Sequence, residues 1–123
     1  MFRISGVILL ILSIQFCKKK EEPLTLPVIT TNSVIEVTST NATSGGDVKS
    51  EGGSAITARG ICWNTTGLPT TDNDKSVEPG RLGNFVSYVV QLNPGTIYYV
   101  CAYATNSLGT GYGSTLSFRT SLK

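Results

Sequence analysis

LNPGTIYYVCAYATN (Leu92–Asn106) decides how the rest of the chain is read. Asn93-Pro94-Gly95 is a turn: proline presets φ, and glycine supplies the left-handed conformation that a tight reversal needs. The run that follows alternates with period two. Tyr98, Val100, Ala102 and Ala104 therefore share one face of a strand, and Tyr99, Cys101 and Tyr103 share the other. The first face is apolar enough for a core, and the remaining segments are read as packing around it.

Upstream, FVSYVVQL (Phe85–Leu92) sets Phe85, Ser87 and Val89 against Val86, Tyr88 and Val90. TARGICWN (Thr57–Asn64) pairs Ile61 with Trp63 on one face and Gly60 with Cys62 on the other. ATSGGDV (Ala42–Val48) turns small residues inward, leaving room at Gly46 that Trp63, the single tryptophan, has the size to fill. Val28–Thr31 and Val34–Thr38 are two short extended runs before it. Downstream, Asn106–Gly113 reads as a hairpin loop, and Ser114–Thr120 as a last strand with Leu116 and Phe118 inward. Thr65–Gly80 is a long polar loop with one weak strand at most, near Ser76–Glu78. Within it, Asp72-Asn73-Asp74 reads as a turn, because the glycine and distal glutamate of a calcium-binding loop are missing. Short strands separated by turn signals predict an all-β, immunoglobulin-like two-sheet sandwich of about seven strands.

Composition excludes several function classes. From Val28 onward Lys49, Arg59, Lys75, Arg81, Arg119 and Lys123 are matched in number by Glu36, Asp47, Glu51, Asp72, Asp74 and Glu78. A neutral domain gives nucleic-acid binding no electrostatic support. The chain has no histidine, which removes Ser-His-Asp and Cys-His catalysis and any His-containing metal site. Asp72, Asp74 and Glu78 lie in one loop, a poor frame for paired-carboxylate glycoside hydrolysis. The expectation is a non-enzyme without cofactor or metal.

The N-terminus carries a different signal. Arg3 precedes an apolar stretch, ISGVILLILSI, which is shorter than a membrane-spanning helix and of signal-peptide length. Cys17 follows directly, then Lys18-Lys19-Lys20-Glu21-Glu22. This resembles a bacterial lipoprotein signal, which implies a signal helix over residues 1–16 and Cys17 as the lipidated first residue of the mature protein. Ile14 fits the aliphatic position of that pattern, whereas Phe16 stands where a small residue is usual. The alternative is a signal anchor, or a chance apolar start, with a bystander cysteine. The charged run resembles sorting signals of Bacteroidetes-type lipoproteins, and otherwise serves as a solvated spacer. Residues 17–27 then form a tether, with Lys18–Pro27 reaching about 30 Å when extended. The resemblance implies a membrane partner through the lipid, and a place in the bacterial cell envelope, on the outer membrane.

LNPGTIYYVCAYATN also resembles the L-x-P-x-T-x-Y-x-V-x-A segment of fibronectin type III domains. ATSGGDVKSEGGSAITARGICWNTTGLPTTDN and NSLGTGYGSTLSFRT are similar to the fibronectin type III-like repeats of secreted Bacteroidetes proteins. The resemblance covers residues 28–120 and leaves 121–123 as a tail. It implies that Tyr98 forms the tyrosine corner that ties turn to strand. The early-strand tryptophan usual in the family is absent. Cys101 takes an outward position where the family often has a basic residue, and Cys62 is outward on an expected neighbouring strand. Two readings stand: a cross-strand disulfide in an exporting environment, or a free thiol beside a small half-exposed hydrophobe. For function, one reading is a lipid-anchored structural or spacer module. The other is a glycan- or protein-binding module using outward Tyr99 and Tyr103 on one sheet and Tyr88 on the other, residues that are equally ordinary β-formers.

Overall fold

The computed structural model describes residues 23–123; the signal segment, Cys17 and the lysine run lie outside the described residues. Nine strands follow one another: β1 (Val28–Thr31), β2 (Ala42–Ser50), β3 (Ala58–Asn64), β4 (Asp74–Lys75), β5 (Glu78–Pro79), β6 (Gly83–Val89), β7 (Ile97–Thr105), β8 (Thr110–Tyr112) and β9 (Leu116–Arg119). β1, β2 and β6 form the smaller sheet, in the order β1-β2-β6. In the larger sheet β3 and β7 are central, β4 and β5 both pair with β3, and β8 and β9 both pair with β7. All pairings are antiparallel.

The strands outnumber the expected seven because each outer lane of the larger sheet is interrupted once. Between β4 and β5 the Ser76 side chain enters the ladder: its Oγ accepts from the Ile61 N–H at 3.0 Å while its own N–H donates to the Ile61 carbonyl. Gly60 makes this approach open, because a Cβ there would collide with the Ser76 carbonyl. Between β8 and β9, Ala102 turns its N–H to Thr31 Oγ1 of β1 at 3.0 Å and accepts from the Gly113 N–H. Strand β8 lies in the segment expected to be only a hairpin loop. Val34–Thr38, expected as a strand, contributes a single bridge between Ile35 and Thr43. Glu36 has φ 52°, a left-handed conformation that ends an extended run.

The core sits between the sheets. Tyr98, Val100, Ala102 and Ala104 of β7 face Ala42 and Val48 of β2 and Phe85 and Val89 of β6, with Ile61 of β3 beside them. Gly46 is filled differently from the size argument. A Cβ on it would lie 2.7 Å from the Ala102 methyl carbon and 3.1 Å from the Phe85 ring. Those two groups occupy the space, and Trp63 lies farther along β3, at one end of the sandwich. The turn before β7 is closed by Tyr98, whose Oη accepts from the Asn93 N–H at 2.8 Å and whose ring stacks on Phe118. Thr120 completes the closure by donating from Oγ1 to the Asn93 carbonyl at 2.6 Å.

Candidate functional site

The outer face of β7 is not a free surface. The 65–80 segment folds back across the larger sheet and covers it. Tyr103 is 2 % exposed, and its Oη donates to the Ser76 carbonyl at 2.7 Å. Tyr112 on β8 receives the Thr71 N–H at 3.1 Å, holding the other half of the loop. Tyr103 therefore joins Cys62 and Cys101 in a second buried cluster, and the expected tyrosine surface on this sheet reduces to half-buried Tyr99. Tyr88 is 61 % exposed on β6, flanked by exposed Val86 and Val90. It belongs to the opposite sheet, so the tyrosines form no single patch.

Cys62 and Cys101 stand directly opposite in the β3–β7 register. The main-chain groups of Ile61 face Ser76, and those of Ala102 face Thr31 and Gly113. Cys62 and Cys101 thus turn theirs toward each other, the wider of the two antiparallel pair types. Both are free thiols with sulfurs 3.6 Å apart, well beyond a disulfide's ~2.05 Å, so the cross-strand disulfide is not formed. Each thiol is also directed at a carbonyl, Cys62 at its neighbour's own and Cys101 at that of Pro69. The hydrogen bond with Cys101 and burial push the Cys62 thiol well above its ordinary pKa. Both thiols are buried and shielded from reagents, and a thiol held protonated is a poor nucleophile. Alkylation should therefore be at least about 100-fold slower in the folded domain than in denaturant, where both thiols become accessible. Rapid modification of the native protein would contradict the cover seen over this pair.

A cleft of about 550 Å³ lies at one pole of the sandwich. The end of β3 supplies Trp63 and Asn64, the following loop supplies Asp72, Asn73 and Asp74, and the turn before β7 supplies Gln91 and Asn93, with Tyr98 below. Two asparagines shape the loop wall. Asn64 Oδ1 accepts from the N–H groups of Thr66 and Gly67, and its amide donates to Gly67 O at 3.0 Å and Asn73 Oδ1 at 3.2 Å. Asn73 Oδ1 also receives the Thr70 N–H at 2.9 Å. Such side-chain bonds to nearby backbone stand in for regular structure in a loop. On the other wall Gln91 is held at φ 60°, an unusual conformation for a residue with a side chain. Buried Leu92, whose N–H donates to Thr40 O at 3.0 Å, anchors that turn. These residues come from three separate segments, and the only sequence hint was a tryptophan ending a strand before a polar loop.

A second polar group lies between the sheets. Ser87 is fully buried, donates to Glu78 Oε2 at 2.8 Å and lies 2.5 Å from Ser76 Oγ. Arg59, 6 % exposed, donates from Nε to Pro79 O and from Nη1 to the carbonyls of Arg81, Leu82 and Gly83. This arrangement fastens the segment that crosses from β5 in one sheet to β6 in the other. It is enclosed by protein and has the character of a structural lock.

The two-sheet sandwich has a fibronectin type III-like fold, which solved structures share. The sensor domain of the anti-sigma factor RsgI4 from Pseudobacteroides cellulosolvens is 19% identical with a TM-score of 0.57, over 80% of this chain and 98% of that one. A fourth human fibronectin type III domain is 17% identical with a TM-score of 0.59, over 86% of each chain. The domain of human fibronectin type III domain containing protein 3 is 15% identical with a TM-score of 0.53, covering 85% of this chain and 93% of that one. No protein-family model and no curated protein matches the chain. At these identities the likeness extends to the fold alone.

Proposed function

We propose that the chain is a non-catalytic module of a bacterial cell envelope, held on the outer membrane by a lipid on Cys17, which presents a recognition site away from the membrane. The observation that supports this is polarity. The chain enters the sandwich at the pole where the Thr25 N–H donates to Gly52 O at 2.8 Å and Asn106 bonds the carbonyls of Thr25 and Glu51. β3 begins near that pole and ends at Trp63 and Asn64 in the cleft. At a strand's rise per residue this separates tether and cleft by roughly 20 Å. A lipid on Cys17, with a tether that ends where Thr25 joins the sandwich, would hold the cleft outward. One solved neighbour is itself described as a sensor domain, which accords with a recognition role.

A plain spacer is the second reading, favoured by the dispersal and covering of the tyrosines. A binding role for exposed tyrosines now rests on Tyr88, beside Val86 and Val90. The anchor is tested by metabolic labelling with a fatty-acid analogue and membrane fractionation of wild type and Cys17→Ser. Label and membrane retention are expected in wild type, with both lost in the variant. Wild type without label would remove the anchor from this reading.

A further inference from the structure

We infer that the pole-end cleft binds a neutral, polyhydroxylated ligand, a short segment of oligosaccharide. This deepens the proposal that the cleft is the domain's outward-facing end. The cleft's size of about 550 Å³ falls within the roughly 300–1,000 Å³ usual for small-ligand sites.

Its chemistry narrows the ligand. The lining carries the amides of Asn64, Asn73, Gln91 and Asn93 and the carboxylates of Asp72 and Asp74, and no cationic side chain. An anion would meet two negative charges there without compensation. The Asn64 amide and the Asn73 oxygen are already engaged in shaping the wall. The side chains of Gln91, Asn93, Asp72 and Asp74 form no hydrogen bond among the described residues and remain available. Together they offer both donors and acceptors. Sugar hydroxyls both donate and accept, so a run of them can satisfy such a mixed set.

A separate observation comes from Trp63. It lines the cleft while only 5 % exposed, yet its indole N–H has no acceptor among the described residues. A buried tryptophan N–H usually has a partner, and a ligand hydroxyl in the cleft supplies one. Gln91 adds a third mark. It is one of three non-glycine residues with positive φ among the described residues, and strained conformations of this kind cluster where ligands are held.

Trp63 is the single tryptophan, so its fluorescence reports directly on the cleft. The full chain should be titrated with neutral hexasaccharides of β-linked glucose, xylose, mannose and N-acetylglucosamine, with tetralysine as a cationic competitor. The expected result is a saturable change with at least one hexasaccharide, with Kd between about 10 μM and 1 mM. That affinity should change less than about twofold between low and physiological salt, because neutral ligands are not screened. Gln91→Gly, which relieves the positive φ while removing the amide, should weaken binding by about tenfold. No response of wild type to any hexasaccharide overturns the inference, whatever the variant does. A response to tetralysine alone, lost with salt and in Asp72→Asn/Asp74→Asn, overturns it in favour of a cationic peptide ligand. Lipid labelling is a separate measurement, so loss of the anchor and loss of saccharide binding are told apart.

Discussion

Replacing Arg59 with methionine is expected to lower the stability of the domain by about 3 kcal/mol, with no change in the denaturant dependence of unfolding. Arg59 is an almost fully buried cation, and Lys49–Asp47 is the only salt bridge among the described residues. Carbonyl oxygens solvate it instead. Nε lies 3.0 Å from Pro79 O, and Nη1 lies 3.0 Å from Arg81 O and 3.1 Å from Gly83 O. The guanidinium carbon sits 4.6 Å above the Phe85 ring centroid. Burial lowers its pKa, with Arg81 acting in the same direction and Glu78 opposing. Guanidinium remains charged under such conditions. Hydrogen bonds to a charged group contribute about 1.5–3 kcal/mol, and the cation–π contact adds about 1 kcal/mol. Partial hydration of the freed carbonyls offsets some of the loss. Arg59→Lys keeps the charge and should recover no more than about half, because one ammonium cannot reproduce the planar fork. The measurement is urea unfolding of wild type and both variants. A shift below about 1 kcal/mol for Arg59→Met would mean the crossover holds without this residue.

The second large effect is alkaline. Burial, with smaller contributions from Cys62, Glu78 and Tyr112, pushes the Tyr103 hydroxyl up to about 12. An unfolded tyrosine ionises near 10. Above that pH the unfolded chain loses a proton that the folded chain keeps, so unfolding is favoured. The stabilisation is fully present below about pH 10 and is lost as pH rises toward about 12, by about 2–3 kcal/mol in all. Tyr103→Phe should be less stable at neutral pH by about 1 kcal/mol, because the Ser76 carbonyl loses its donor. It should also lack this component of the alkaline slope. Unfolding measured at intervals from pH 8 to 12, as the difference between wild type and variant, isolates Tyr103 from lysines and cysteines. Equal slopes in the two proteins would mean that Tyr103 ionises as freely in the fold as out of it.

Both effects arise where tertiary placement departs from strand alternation. Period two assigns Arg59 to the same face as Ile61 and Trp63, a charge among core residues. Nothing in the sequence indicates that carbonyls from Pro79 to Gly83 would gather around it. Alternation likewise turns Tyr103 and Cys101 away from the core, and it does so correctly. The 65–80 segment then covers that outer face. Its sequence is polar, and its attachment through Ser76, Thr71 and Pro69 depends on backbone carbonyls and single hydroxyls that carry no sequence pattern.

Short strands and the turns between them determined the sandwich by themselves, and Leu92–Asn106 carries that pattern most fully. A Pro-Gly turn, a tyrosine placed to close it and an apolar face at period two are local properties, written in consecutive residues. The inward faces of β2, β6 and β7 followed from the same rule. The tertiary structure alone decided the rest: which outward residues are covered, that Cys62 and Cys101 meet without bonding, and that Trp63 ends beside Gln91 and Asp74 in a cleft. These depend on how a loop returns across a sheet and on which ends of distant strands share a pole. Such contacts join residues far apart in the chain, and no local periodicity records them.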